Sequence, residues 1–165
     1  MADKTIMERL QPSLLDRLTD QDSSSMTETR DSRVIDLRQL RQIIERDLSW
    51  LLNTNNQDTM IDATRYPNAS KSVLNFGLRD VAGDYSTVER AELIRKSILR
   101  AIEMFEPRIR KGSILVDFRE GERNRETVVS FDIRADMWAQ PVPLELYLRT
   151  EVDVTTGELQ VERVA

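Results

Sequence analysis

Three carboxylates in this chain could perform chemistry as a set. Glu106, next to Phe105, could serve as an acid whose pKa is raised by apolar surroundings, with Asp117 or Asp132 as nucleophile or base; that pair of roles is what cleaves a glycosidic bond. The same Glu106 opens the tripeptide Glu106-Pro107-Arg108, which supports a different chemistry. A carboxylate accepts hydrogen bonds, a guanidinium donates a planar fork of them, and a proline between them fixes their relative direction. Left exposed, such a pair is worth at most about 1 kcal/mol, whereas desolvated it costs about 3–5 kcal/mol to strand one partner. On the residues alone, the exposed pair is the expectation.

Other chemistries fail on composition. The chain has no cysteine and no histidine, which removes thiol nucleophiles, imidazole bases, disulfides and the usual zinc ligand sets. Its glycines (77, 83, 112, 121 and 157) are isolated, so no glycine-rich loop cradles a phosphate. Asp20-Gln21-Asp22 lacks the glycine and terminal glutamate that calcium loops require. No cofactor, metal or small-molecule substrate is therefore expected. Aromatic residues make up 5% of the chain, few for a cleft that stacks sugars, and hydrolysis ranks behind a non-catalytic role.

The elements that must position these residues follow from periodicity. With 165 residues the chain suits one domain with a real core. The net charge of −5, without a strong basic cluster, opposes nucleic-acid binding. Apolar runs are too short for a membrane span or a secretory signal, so a cytoplasmic location without membrane insertion is expected, and the sequon Asn68-Ala69-Ser70 has no role there. All but four of the 24 basic residues are arginine; the bias suits a protein with several partners, although genomic base composition accounts for the larger share.

In residues 1–33, Ile6, Leu10, Leu14 or Leu15, and Leu18 recur at near-helical spacing, with Pro12 and Ser13 near the start of a short helix; with the polar linker Gln21–Ser32 it either docks into a partner's groove or folds back on its own domain. Residues 34–165 form the domain proper. Val34, Leu37, Leu40, Ile44, Leu48 and Leu51 predict a long helix over 34–53. A turn over Ser70–Asn75 precedes Phe76-Gly77-Leu78, where Phe76 and Leu78 suit a core and Asp80 a turn or cap. A second long helix starts after Thr87 and ends at Phe105, because a proline in a helix interior costs about 3 kcal/mol. The period then changes to two: Ile114, Val116 and Phe118, then Val129, Phe131, Ile133 and Ala135, each face one side of a strand. Glu120–Arg125 reads as a polar hairpin loop. Pro141 and Pro143 interrupt the ladder before the chain returns at 144–149, and Thr155-Thr156-Gly157 turns it into 158–164. The fold class is α+β, a small, mainly antiparallel sheet of three or four strands packed against two long helices. Such a sheet has edges that can accept a strand from another chain.

The order of Leu14–Asp20, then Ser72–Asp80, a helix of about five turns, Glu106-Pro107-Arg108 and antiparallel strands resembles the lysozyme-like baseplate wedge proteins of contractile phages and their type VI secretion relatives, the TssE-type subunits. The likeness covers most of the chain, and the leading segment favours the secretion branch. The resemblance implies that Phe76, Gly77, Leu78 and Asp80 are a family motif, read here as structural. It implies that Glu106, Pro107 and Arg108 attach the subunit to its wedge. The partners it implies are the wedge subunits TssF and TssG, with TssK as a further candidate, and the sheath subunits TssB and TssC, in a baseplate docked at the inner-membrane complex. It further implies that the sheet edge starts sheath polymerisation.

Overall fold

The computed structural model describes residues 12–19, 24, 35–80, 88–119, 128–137 and 144–163. Asp36 opens the first long helix: its carboxylate accepts from Gln39 N, and the Gln39 side chain accepts from Asp36 N, a reciprocal capping box. That helix, α2 (Leu37–Leu52), follows the short α1 (Leu14–Leu18). It buries Ile44, Leu48 and Leu51 of the predicted face together with Leu52, while Leu40 is half-buried and Leu37, in its first turn, is exposed; Val34 lies outside the described residues. The second long helix, α3 (Val88–Phe105), buries Ala91, Ile94, Ile98, Ala101 and Ile102; its expected cap, Thr87, lies outside the described residues.

Four antiparallel strands complete the α+β fold in the order β1 (Leu115–Phe118), β2 (Val128–Met137), β3 (Leu144–Asp153) and β4 (Leu159–Arg163). Alternation places Val129, Phe131, Ile133 and Ala135 on the helix side, and Asp132, Arg134 and Asp136 on the other. In β1, Val116 is buried but Phe118 remains 44% exposed. Its ring packs edge-on against Phe131, 6.1 Å away between centroids, because Phe131 is its cross-strand partner. Among the described residues, α2 packs toward β4 and α3 toward β1, on the face that carries Val129, Phe131, Ile133 and Ala135. The expected hairpin loop at Glu120–Arg125 and the prolines at 141 and 143 lie outside the described residues. Thr155-Thr156-Gly157 does turn the chain: Gly157, at φ 77°, donates to Asp153 O at 2.7 Å, and the Asp153 carboxylate accepts from Thr155 N at 2.8 Å.

The long connection from α2 to α3 is anchored rather than loose. Two 3-10 turns, Ala69–Lys71 and Val73–Asn75, lead to Leu78, which forms a parallel bridge with Asn55: Leu78 N donates to Thr54 O at 2.7 Å and Asn56 N to Leu78 O at 2.8 Å. Gly77 has φ 121°, and a Cβ there would meet Thr54 O at 2.1 Å. Only glycine lets the two backbone segments approach this closely. The buried amide of Asn75 satisfies three groups of the connection at once, accepting from Gln57 N at 2.9 Å and donating to Asp58 Oδ1 at 2.7 Å and Ser70 O at 3.0 Å.

These geometries separate two glycines. Gly77→Ala adds a backbone clash to a strained φ and is expected to cost roughly 3 kcal/mol in urea unfolding. Gly112 also has positive φ, 78°, but open space where a Cβ would sit, so Gly112→Ala is expected to cost about 1 kcal/mol. Equal losses would refute the close-approach argument.

Candidate functional site

The corner that ends α3 is built from its own residues. Glu106 N still donates to Ile102 O at 3.0 Å, but Pro107 has no N–H to continue the ladder. Ile109 N donates to Glu106 O at 3.2 Å, which makes 106–109 a β-turn with proline at its second position, where its fixed φ is favoured. The exit is fastened to the end of β2: Ile109 forms an antiparallel bridge with Met137, and Arg110 N donates to Asp136 O at 2.8 Å. Within the turn the Glu106 carboxylate folds back over Arg108. Its Oε1 accepts from Arg108 N at 3.0 Å and from Arg108 Nε at 2.6 Å, and its Oε2 accepts from Arg108 Nη2. The Glu106 residue is 5% exposed.

Arg108 also reaches out of the turn. Its Nη2 donates to Asp47 Oδ2 at 2.7 Å, across 61 positions of sequence. Asp47 Oδ1 accepts from Arg46 Nε at 3.0 Å and Nη2 at 2.7 Å, and Arg46 holds Asp16 of α1 through Nη1 at 2.5 Å and Nη2 at 3.2 Å. Five charges thus alternate in sign, Asp16, Arg46, Asp47, Arg108, Glu106, and tie three segments together. The Arg46 fork holds the Asp16 carboxyl below its ordinary value, with help from Ser13 and against the opposing effect of burial. The bond to Asp16 raises Arg46 in turn, with a smaller contribution from Asp47. For Arg108, burial is the largest single influence and acts downward, but Glu106 and Asp47 together outweigh it and leave the guanidinium above its ordinary value. Arg46 additionally lies over the Trp50 ring, 4.7 Å from its centroid.

Glu106, Pro107 and Arg108 therefore come together as one turn, with Pro107 exposed. The exposed ion pair expected from the residues alone is not what the fold holds: the carboxylate is buried within its own turn and bonded to Arg108, which reaches α2 through Asp47. Phe76 and Leu78 pack against or within the core, and Phe76 meets Phe105, the last residue of α3, edge-on at 5.3 Å between centroids. Gly77 sits in the close approach to Thr54. Asp80 is exposed just beyond the bridge. The carboxylates of the hydrolytic reading are not assembled as a set. Asp117 and Asp132 face each other across β1 and β2, with Asp132 accepting from Tyr147 Oη at 3.0 Å, whereas Glu106 is turned toward α2 and engaged by Arg108. The short helix folds back through Asp16, not through its leucines: Leu14, Leu15 and Leu18 are 71%, 51% and 74% exposed.

Asp47 and Asn75 are the residues that sequence reasoning missed. Asp47 reads as one more charge on a solvated helix face, and only its neighbour Arg46 hinted at pairing; its bond to Arg108 depends on how α2 and α3 pack. Asn75, in contrast, lies directly before Phe76-Gly77-Leu78, where a short polar side chain in a turn signals local backbone bonding.

Two outcomes follow for the charge chain. Arg108→Ala strands the buried Glu106 carboxylate and is expected to cost about 3–5 kcal/mol in urea unfolding, most of it recovered by adding Glu106→Gln. The Asp16 carboxyl is lowered on folding, so the tie between α1 and α2 is fully present above its ordinary value of 3.8 and is lost as pH falls through the lower folded value. An NMR titration of the Asp16 carboxyl carbon checks this: its midpoint should lie below 3.8 and rise in Arg46→Gln.

The chain matches, over residues 38–142, the family model described as baseplate wedge protein gp25. No curated protein and no solved structure matches it. The matched stretch takes in α2, the bridge at Leu78, α3, the corner at Glu106 to Arg108, and strands β1 and β2. It covers more than half of the sequence, and the chain belongs to the baseplate wedge protein gp25 family, a family of structural baseplate proteins that includes TssE.

Proposed function

We propose that this protein is a non-catalytic TssE-type baseplate component of a type VI secretion machine, a contractile injection apparatus. It joins wedge subunits through the corner Glu106-Pro107-Arg108 and starts sheath polymerisation by offering a sheet edge to sheath strands. The wedge partners are TssF and TssG, with TssK as a further candidate, and the sheath partners are TssB and TssC. Phe76, Gly77, Leu78 and Asp80 serve the fold that carries these surfaces. The location is cytoplasmic, in a baseplate docked at the inner-membrane complex. Family membership supports the baseplate role, and no helix among the described residues is long and apolar enough to cross a membrane.

One observation carries the sheath reading, the ladder geometry of β4. Asp153 N donates to Glu158 O at 2.9 Å, so residues 153 and 158 form a hydrogen-bonded pair. Antiparallel pairs alternate in type along the ladder. With Val152 opposite Leu159 and Thr150 opposite Val161, the N–H and C=O groups of Leu159 and Val161 point away from β3. Among the described residues, nothing bonds to those of Val161. By contrast β3 lies between β2 and β4; a proline there would break the fold and would test nothing about partners.

The corner would present Pro107 from a turn that cannot deform without uncovering Glu106. Arg108→Glu is thus a poor probe, because it would gather three carboxylates. Pro107→Glu adds a charge at the exposed tip without touching the buried pair, and is expected to leave thermal unfolding within a few degrees of wild type while abolishing co-purification with wedge subunits. For the edge, Val161→Pro removes an outward N–H that β3 does not use. It should stop sheath initiation yet retain wedge binding, whereas Val116→Pro, the equivalent change on β1, should not. Normal sheath assembly with Val161→Pro would defeat the proposal for β4, and loss with Val116→Pro alone would move the edge to β1.

A further inference from the structure

The edge of β4 is closed at one rung by a side chain. Asn53, the residue that caps α2, donates from Nδ2 to Leu159 O at 2.7 Å and accepts at Oδ1 from Leu159 N at 2.9 Å. A carboxamide offers the same donor and acceptor as a peptide unit, so Leu159 is bonded as though a neighbouring strand already lay beside it. The second N–H of the amide goes to Ser49 O at 2.9 Å, which leaves both donors of the group engaged. The next outward-facing residue is Val161, about 7 Å further along the strand.

We infer that Asn53 is a register stop for the incoming strand: a partner strand pairs with β4 from Val161 toward its C-terminal end and does not extend over Leu159. The inference rests on the sheath reading of this edge. Its physical reason lies in the symmetry of a ladder. A slip by one residue turns every side chain to the wrong face and is strongly disfavoured. A slip by two residues keeps the faces and costs only the pairs lost at the ends, so a short edge needs something at its end to exclude it. A neutral amide that occupies the ladder position does so without placing a charge where a partner must dock.

The test uses the absence of cysteine in the chain. Gln160, exposed and between Leu159 and Val161, would lie in a non-hydrogen-bonded pair with the added strand, where the short Cα separation permits a disulfide. Full-length protein carrying Gln160→Cys is assembled with wedge proteins and with TssB–TssC in which single cysteines are scanned along the sheath strand. With Asn53 present, one sheath position should cross-link. With Asn53→Ala, a second position two residues away should appear at a substantial fraction of the first, an effect that loss of a helix cap alone would not produce. The free variant should also exchange its Leu159 amide about tenfold faster. Asn53→Ser, which is too short to span the rung, replaces Asn53→Ala if the latter unfolds. A single unchanged position in both variants overturns the stop while leaving the edge reading intact; no cross-link at any position, even with Asn53, overturns the edge reading and the stop together.

Discussion

A buried carboxylate held by its own turn is the constraint from which the rest of the structure is arranged. Glu106 loses its water at the end of α3, and a buried charge without partners would cost several kcal/mol. Arg108 supplies three hydrogen bonds from two residues away and then reaches Asp47 on α2. Because a guanidinium is a planar fork, those bonds fix the direction of the turn as well as its charge. The placement of α2 against α3 follows, and so does the departure of the chain toward β2 through Ile109 and Arg110.

A second fastening lies beside the first, at the C-terminal ends of the same helices. Leu78 and Thr54 bring the connection against the end of α2, and Phe76 carries that contact to Phe105, one residue before Glu106. The two sequence motifs are thus neighbours in space, joined by one aromatic pair. Together they hold the C-terminal half of α2, whose cap residue Asn53 meets Leu159. The state of the sheet edge is in this way a consequence of helix packing, not of the strand itself.

This arrangement suits a component of a structural baseplate family. The partly buried charges from Asp16 to Arg108 and the buried Glu106 bind one another in alternating sign, which makes a stiff corner. Surface that is stiff and backbone that is unpaired are what a template for other chains requires. Among the described residues, the ion pair to Arg46 is what ties α1 to the domain, while Leu14, Leu15 and Leu18 are exposed.

Periodicity alone determined the elements. The three- and four-residue spacing in α2 and α3 and the two-residue spacing in β2 each select one buried face, and Pro107 must end a helix wherever it stands, so these were legible without coordinates. Turn chemistry at Thr155-Thr156-Gly157 and the glycine before Leu78 were legible for the same reason, being properties of a few adjacent residues. What the sequence could not determine is which distant groups meet. That Glu106 is buried rather than exposed, that Asp47 completes its network, and that Asn53 closes a rung of β4 are contacts across tens of residues, decided by how the helices pack on one face of the sheet. A charge or an amide carries no mark of its partner in the sequence; only the fold, by removing water from around it, decides which groups must bond.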